Sequence, residues 1–152
     1  MTRPLYERDI DRLGERDVLA QLQPRWLFDH AHKLPISYGI DYALTRGLEV
    51  AAFAEIKCRP NLPFDYGDGY YLALQKVMRA SSISTVTGRC CFLIVRLSCG
   101  GVWWCDMETG QRRPRLVWHG RSDRNNPNDY EACVVYPWHK FAAVTPARVE
   151  AP

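Results

Sequence analysis

The sequence lacks the features that mark membrane proteins, secreted proteins and zinc-binding proteins. No apolar run approaches the roughly 20 residues that a membrane-spanning helix needs, and we find no secretory leader with an apolar segment. Six cysteines are present, but two of them are adjacent and no C-x-x-C pair occurs. Cys99 and Cys105 could join His119 or His139 on zinc only with spacings that match no common ligand pattern. We therefore expect a reduced, intracellular protein with no membrane partner.

The chain also lacks internal repeats and low-complexity segments. Its 152 residues, of which 47% are hydrophobic, suit one globular core and are too few for two. We expect a single domain over residues 1–145 and a poorly ordered tail over residues 146–152. One domain of this size suggests one functional site.

Charge is only mildly biased overall, with a formal net charge of +3, but it is unevenly distributed. Residues 111–125 contain one acid, Asp123, against five arginines: Arg112, Arg113, Arg115, Arg121 and Arg124. A cationic segment of this kind is typical of a surface that contacts phosphates. It permits a nucleic-acid partner without requiring one.

Apolar periodicity predicts helices and strands that alternate along the chain. We expect a helix over Leu5–Leu22 that ends at Pro24, and then an irregular connection over Arg25–Pro35. The further expected elements are a strand over Tyr38–Leu44, a strand over Leu48–Lys57, a helix over Tyr70–Ser84, and strands over Cys90–Leu97, Val102–Met107 and Cys133–Tyr136. This order indicates a mixed α/β or α+β domain.

The stretch IDYALTRGLEVAAFAEIKCR, residues 40–59, is the most informative part of the sequence. It ends an apolar strand with Glu55, Ile56 and Lys57, and alternate residues of a strand share a face, so Glu55 and Lys57 lie together. A three-residue loop at Thr45-Arg46-Gly47 would pair Asp41 with Ala51 and bring Asp41 to that same face. We predict this loop, because a two-residue turn at Arg46-Gly47 would turn Asp41 away.

Glu15 is a further acid in an unexpected position. It precedes Val18, Leu19 and Leu22 by three, four and seven residues, so it shares their apolar helix face. Either it caps or pairs near the helix start, where acids are favoured, or it reaches the same site as a third carboxylate. The sequence leaves both interpretations open.

Two carboxylates and a lysine on one sheet face suit metal-dependent phosphodiester hydrolysis. Mg²⁺ prefers oxygen ligands and keeps waters for substrate and nucleophile, so Asp41 and Glu55 could bind it together with the Ile56 carbonyl. Lys57 could hold the attacking water and offset charge on the phosphorus. The residues therefore predict a metal-dependent nuclease.

These residues resemble the PD-(D/E)xK nuclease superfamily, and the longer strings around them are similar to small phage or prophage proteins of that superfamily. The resemblance implies a restriction-endonuclease-like mixed sheet of four to five strands flanked by helices. It also implies Mg²⁺ or Mn²⁺ as cofactor and a catalytic set of Asp41, Glu55, Lys57 and, less directly, Glu15. Ile40 stands where the motif name has proline, and Gln75-Lys76 leaves the role of the following helix open.

A nuclease of this kind would act on DNA, in the host cytoplasm if a phage encodes it. The expected phosphate contacts are Lys33, Lys76 and the five arginines of the cationic segment. A Holliday junction resolvase, which works as a symmetric homodimer, would use the same chemistry. The alternative is a non-catalytic nuclease-like or phage structural protein in which Glu55 and Lys57 only pair on a sheet surface.

Overall fold

The structure is a computed structural model, and it describes residues 9–108, 114–120 and 127–144. Two helices and nine strands are found there, joined in places by single 3₁₀ turns. In chain order they are α1 (Asp9–Trp26), β1 (His30–Lys33), β2 (Tyr42–Arg46), β3 (Glu49–Cys58), β4 (Gly69–Ala73), α2 (Leu74–Thr87), β5 (Cys91–Arg96), β6 (Val102–Asp106), β7 (Leu116–Gly120), β8 (Tyr130–Pro137) and β9 (Ala142–Ala143). The expected tail, 146–152, lies outside the described residues.

The strands form two sheets, a six-stranded one and a three-stranded one. The larger has the order β1-β2-β3-β5-β6-β9, and the smaller has the order β4-β8-β7. Only the β3–β5 pair is parallel among these described strands, and the crossover between β3 and β5 contains α2. The predicted mixed α+β fold is confirmed, with more strands than the four to five expected.

The hairpin of β2 and β3 differs from the predicted one. Arg46 pairs with Glu49, so the loop contains two residues, Gly47 and Leu48, and Gly47 has the positive φ of 58° that such a tight turn needs at its first position. The predicted three-residue loop is therefore wrong. The register then shifts by one, because Thr45 pairs with Val50 but Leu44 pairs with Ala52.

This shift is a β-bulge with Ala51 as the extra residue. Beyond it Tyr42 pairs with Ala54, so the same register continued by one residue sets Asp41 opposite Glu55. Without the bulge Asp41 would face Ala54, on the other side of the sheet. The bulge thus does what the three-residue loop was expected to do.

The core lies on both faces of the larger sheet. On one face Ala52, Ala54 and Ile56 of β3 pack with Val18 and Leu22 of α1. The other face joins Phe53 to the smaller sheet and to α2, in a cluster that includes Tyr70, Leu72, Ala80, Leu93, Val95, Val134 and Tyr136. β5 contributes residues to both clusters, as its nearly continuous apolar sequence predicts.

Two boundaries near the first helix were predicted wrongly. Helix α1 continues past Pro24, and Leu27 N–H still donates to Gln23 O at 3.1 Å before a positive φ at Leu27 ends the helix. A proline so close to the helix end disturbs little beyond it. The expected irregular connection contains strand β1. Apolar periodicity did not predict this strand, because its sequence HAHK has a single apolar residue and it pairs only with β2 among the described strands.

The predicted helix over Tyr70–Ser84 also begins too early. Tyr70 and Leu72 are buried and alternate with Tyr71 and Ala73, which is the period of a strand, and these residues pair with β8. The apolar residues YYLAL fit either period over so short a length. The predicted strand over Tyr38–Leu44 starts only at Tyr42, after a 3₁₀ turn that ends at Gly39 with φ 73°.

Candidate active site

The centre of the candidate site is the side chain of Glu55, which is fully buried. Its Oε1 lies 2.7 Å from Lys57 Nζ on the same strand and 3.1 Å from Lys76 Nζ on the first turn of α2. Lys76 also donates to Oε2 at 3.2 Å. Oε1 nevertheless receives no well-directed hydrogen bond from any residue that the structure describes. A buried carboxylate oxygen in that condition retains capacity for another ligand.

The neighbouring carboxylates fix the charge of Lys57. Burial alone would lower the pKa of Lys57, but the Coulombic attraction of Glu55, and then of Asp41, outweighs it and raises the pKa above its ordinary value. Lys57 is therefore a cation at neutral pH. It suits a role as a hydrogen-bond donor and charge stabiliser, and it does not suit the role of a general base in this state.

Asp41 is anchored at the start of β2 by its own backbone and by β3. Its carbonyl accepts a hydrogen bond from Leu34 N–H at 2.8 Å, and its Oδ2 accepts one from Ile56 N–H at 2.9 Å. Its Oδ1 lies 3.9 Å from Lys33 Nζ. The side chain keeps 17% of its exposure. Asp41 is thus held between the ends of two strands and remains partly exposed.

Glu15 reaches the same end of the sheet from helix α1, and it is buried as its helix phase predicted. Its Oε2 accepts a hydrogen bond from Tyr42 O–H at 2.7 Å and another from Lys33 Nζ at 3.1 Å. The ammonium of Lys33 also lies 4.9 Å above the Tyr42 ring. Since Lys33 contacts both Glu15 and Asp41, it joins the helix acid to the strand acid.

The site therefore combines three carboxylates with three lysines, which gives a formal charge of zero. Within residues 9–108, 114–120 and 127–144 no three His, Cys, Asp or Glu side chains form a ready metal cage. Asp41 and Glu55 offer two carboxylates on one sheet face, and this small donor set is the one Mg²⁺ uses when it keeps waters for substrate. The incompletely hydrogen-bonded Oε1 of Glu55 and the partly exposed carboxylate of Asp41 fit such an ion.

The structure gives new contacts to the lysines that we predicted to touch DNA. Lys33 and Lys76 each bind a site carboxylate, so their phosphate contact stays a prediction. Arg115 is 61% exposed and pairs with Asp68. The other four arginines, Arg112, Arg113, Arg121 and Arg124, lie outside the described residues.

Sequence reasoning missed Tyr42 as a residue of the site and gave Lys76 only a phosphate contact. Tyr42 follows Asp41 and shares a strand face with Leu44, which faces α1, so its contact with Glu15 could have been inferred from parity. Lys76 was read as a surface residue because the helix was started at Tyr70. With the helix starting at Leu74, Lys76 falls in the first turn next to β3.

The alternative in which Glu55 and Lys57 pair on a sheet surface is wrong for Glu55. The side chain of Glu55 has no exposed fraction, whereas that of Lys57 is 23% exposed. Three of the six cysteines, Cys91, Cys105 and Cys133, are buried. No described helix is long and apolar enough to cross a bilayer.

Comparison with known proteins identifies the family to which the chain belongs. The family model described as "Phage putative PDDEXK endonuclease" matches residues 1–144 of the chain. Among solved structures, the chain is similar to Archaeoglobus fulgidus Hjc, a Holliday junction resolvase from an archaeal hyperthermophile. That likeness has 16% sequence identity and a TM-score of 0.49, and it covers 82% of this chain and 81% of the other. No curated protein matches the sequence significantly. With the family model covering nearly its whole length, the chain belongs to the family of phage PDDEXK endonucleases, and it is a nuclease.

Proposed function

We propose that this nuclease hydrolyses DNA phosphodiester bonds with the aid of Mg²⁺ or Mn²⁺, inside the host cell. The observation that carries the proposal is the Glu55 carboxylate, buried and incompletely hydrogen-bonded beside Asp41. Burying a carboxylate is costly unless its charge is used or compensated. Here it is compensated only by lysines, which leaves it available to a divalent cation.

The metal ligands in this proposal are Asp41, Glu55 and the carbonyl oxygen of Ile56. A divalent ion bound there would supply a Lewis acid for the scissile phosphate and lower the pKa of a bound water. Asp41 is oriented for this task because Ile56 N–H holds its Oδ2. Second hydrogen bonds of this kind commonly fix the direction of ligands in metal sites.

Lys57 has the role of an electrostatic catalyst. Its ammonium is charged at neutral pH and lies at the polar end of β3, so it can donate a hydrogen bond to the attacking water and stabilise negative charge that develops on the phosphate oxygens. Glu15 has an indirect role in this proposal, because it holds Lys33 beside Asp41. The arginines of residues 111–125 would contact flanking phosphates.

The proposal is tested by metal binding and cleavage in parallel. Calorimetric titration with Mn²⁺ should show a site in the wild type that Glu55→Gln removes, and the wild type should cleave plasmid, linear, single-stranded or branched DNA only with Mg²⁺ or Mn²⁺. Lys57→Ala, which keeps both carboxylates, should bind Mn²⁺ and lose cleavage. Cleavage that survives Lys57→Ala unchanged contradicts the mechanism. Metal binding absent from the wild type favours a nuclease fold that only binds nucleic acid.

A further inference from the structure

An exposed apolar ridge runs along the outer part of the smaller sheet. It consists of Leu116, Trp118 and Tyr130, whose exposed fractions are 54%, 73% and 40%. Leu116 pairs with Val134, Trp118 with Ala132 and Gly120 with Tyr130, so all three side chains project from the same face of β7 and β8. Three large apolar groups in water on one face form a surface that a partner can cover.

This ridge lies on the same face of the smaller sheet as Tyr70, a buried residue beside the candidate active site. Tyr70 pairs with Tyr136, four residues along β8 from the partner of Trp118, and four residues preserve the face. Tyr70 in turn lies close enough to Lys57 for the two to interact electrostatically. Two strand spacings and four residues of rise separate Tyr70 from Trp118 by roughly 17 Å between Cα atoms. Leu72, Val134 and Tyr136, which lie between them on this face, are buried in the core, so the ridge is the uncovered outer end of that face.

The sequence around the ridge selects a polyanion over a second copy of the chain. Arg112, Arg113 and Arg115 precede Trp118, and Arg121 and Arg124 follow it. If two copies met through this surface, each would bring five arginines that lie within six residues of Trp118 in sequence, and like charges repel. A phosphate backbone would be attracted by the same segments and would bring its bases to the ridge.

Trp118 is also unlike the other tryptophans of the chain. All five lie in the described residues, and the indoles of Trp26, Trp103, Trp104 and Trp138 pack against other aromatic rings. Trp118 has no such ring contact among the described residues and is mostly in water. An exposed aromatic ring with several arginines near it in sequence suits the stacking of unpaired bases.

We propose that Trp118 is a stacking platform for unpaired bases of the substrate, which makes DNA with single-stranded or open segments the preferred class of ligand. The inference rests on the proposed function only in taking DNA as the substrate. A base inside a regular duplex cannot present its ring face to an indole, whereas a base at a gap, flap, fork or junction can. Trp118 is therefore a specificity-determining residue for the nuclease.

Binding in EDTA tests this inference without cleavage. Tryptophan fluorescence and anisotropy of the full chain are titrated with labelled oligo(dT), a gapped duplex and a blunt duplex of equal length. We expect Trp118→Ala to weaken binding of oligo(dT) and gapped DNA by on the order of 5- to 100-fold and to change blunt-duplex binding less than about twofold. Trp118→Phe should retain most of the affinity, because a phenyl ring still stacks. Val86→Ala, at an exposed apolar position on α2, is the matched control and should change nothing.

The possible results separate this inference from the proposed chemistry. Equal effects of Trp118→Ala on all three DNAs, or no effect on any, overturn it. A change in sedimentation velocity of Trp118→Ala without DNA also overturns it, since the ridge would then be a contact between copies of the chain. If Trp118 governs binding but no metal supports cleavage, the stacking role stands and the proposed hydrolysis fails.

Discussion

Glu15 and Glu55 are both buried acids bonded to lysine, yet their surroundings differ. Glu15 accepts hydrogen bonds from the Tyr42 hydroxyl and from Lys33, a lysine that is 36% exposed. Glu55 has no hydroxyl or backbone donor among its contacts, and two lysines share its Oε1 without a well-directed hydrogen bond. Glu15 is thus satisfied by hydrogen bonds within the protein, whereas the incomplete hydrogen bonding of Glu55 supports the proposal that it is a metal ligand.

The strongest challenge to this comparison is Glu55→Gln. The amide keeps the shape but removes the charge that would bind the metal, so cleavage should fall by at least about 1000-fold, whereas Glu15→Gln should cost about tenfold. Initial rates at saturating Mg²⁺ measure both. Equal losses in the two variants would show that the two acids have equivalent roles.

The next largest effect distinguishes the roles of Lys57 and Lys76, the two lysines that contact Glu55. Lys57→Met should reduce kcat by about 100- to 1000-fold with little change in Mn²⁺ affinity. Lys76→Met leaves Lys57 in place and should cost about tenfold or less. Single-turnover rates and calorimetry distinguish the pair, and a larger loss from Lys76→Met would assign the catalytic cation to α2 instead of β3.

A smaller effect is expected at the satisfied acid. Tyr42→Phe removes the 2.7 Å hydrogen bond to Glu15 while keeping the ring under Lys33. The free energy of unfolding, measured in urea, should fall by about 1 to 2 kcal/mol. The cleavage rate should change only a few-fold. Unchanged stability would mean that the hydroxyl bond contributes nothing to the fold.

The smallest effect is a pH dependence of stability from Lys57. Its pKa is raised in the folded state, so the stability it contributes is fully present below the unfolded lysine pKa of about 10.4 and is lost as pH rises through the higher folded value. Urea unfolding of the wild type at pH 9 and pH 11 should show this loss, and Lys57→Met should show less of it. An identical pH dependence in both proteins would refute the linkage.

Much of this site could be predicted because it depends on local periodicity. The alternation of β3 gave the shared face of Glu55 and Lys57, and the phase of α1 gave the burial of Glu15 beside Val18 and Leu22. These patterns follow from the geometry of one element. They do not require knowledge of what the element packs against.

The remainder depended on contacts distant in sequence. Strand β1 is held by pairing with β2 and has almost no apolar signal of its own, and β4 is a strand only because β8 pairs with it. The contact of Glu55 with two lysines could not be predicted without knowing that α2 starts at Leu74. That start depends on the pairing of β4 with β8, because the pairing makes Tyr70 to Ala73 a strand. Tertiary context overrode local propensity in each case.

The bulge at Ala51 has a consequence for how this motif is recognised in other sequences. With a two-residue loop, Asp41 and Glu55 share a face when the number of residues between them, not counting a bulged residue, is even. With an odd number they lie on opposite faces. We expect relatives with one residue fewer in this interval to have a regular hairpin, and relatives with two fewer to keep the bulge and the two-residue loop in a hairpin that is one residue pair shorter. The distance in sequence between the two acids can thus vary among nucleases of this family while their separation in space stays the same.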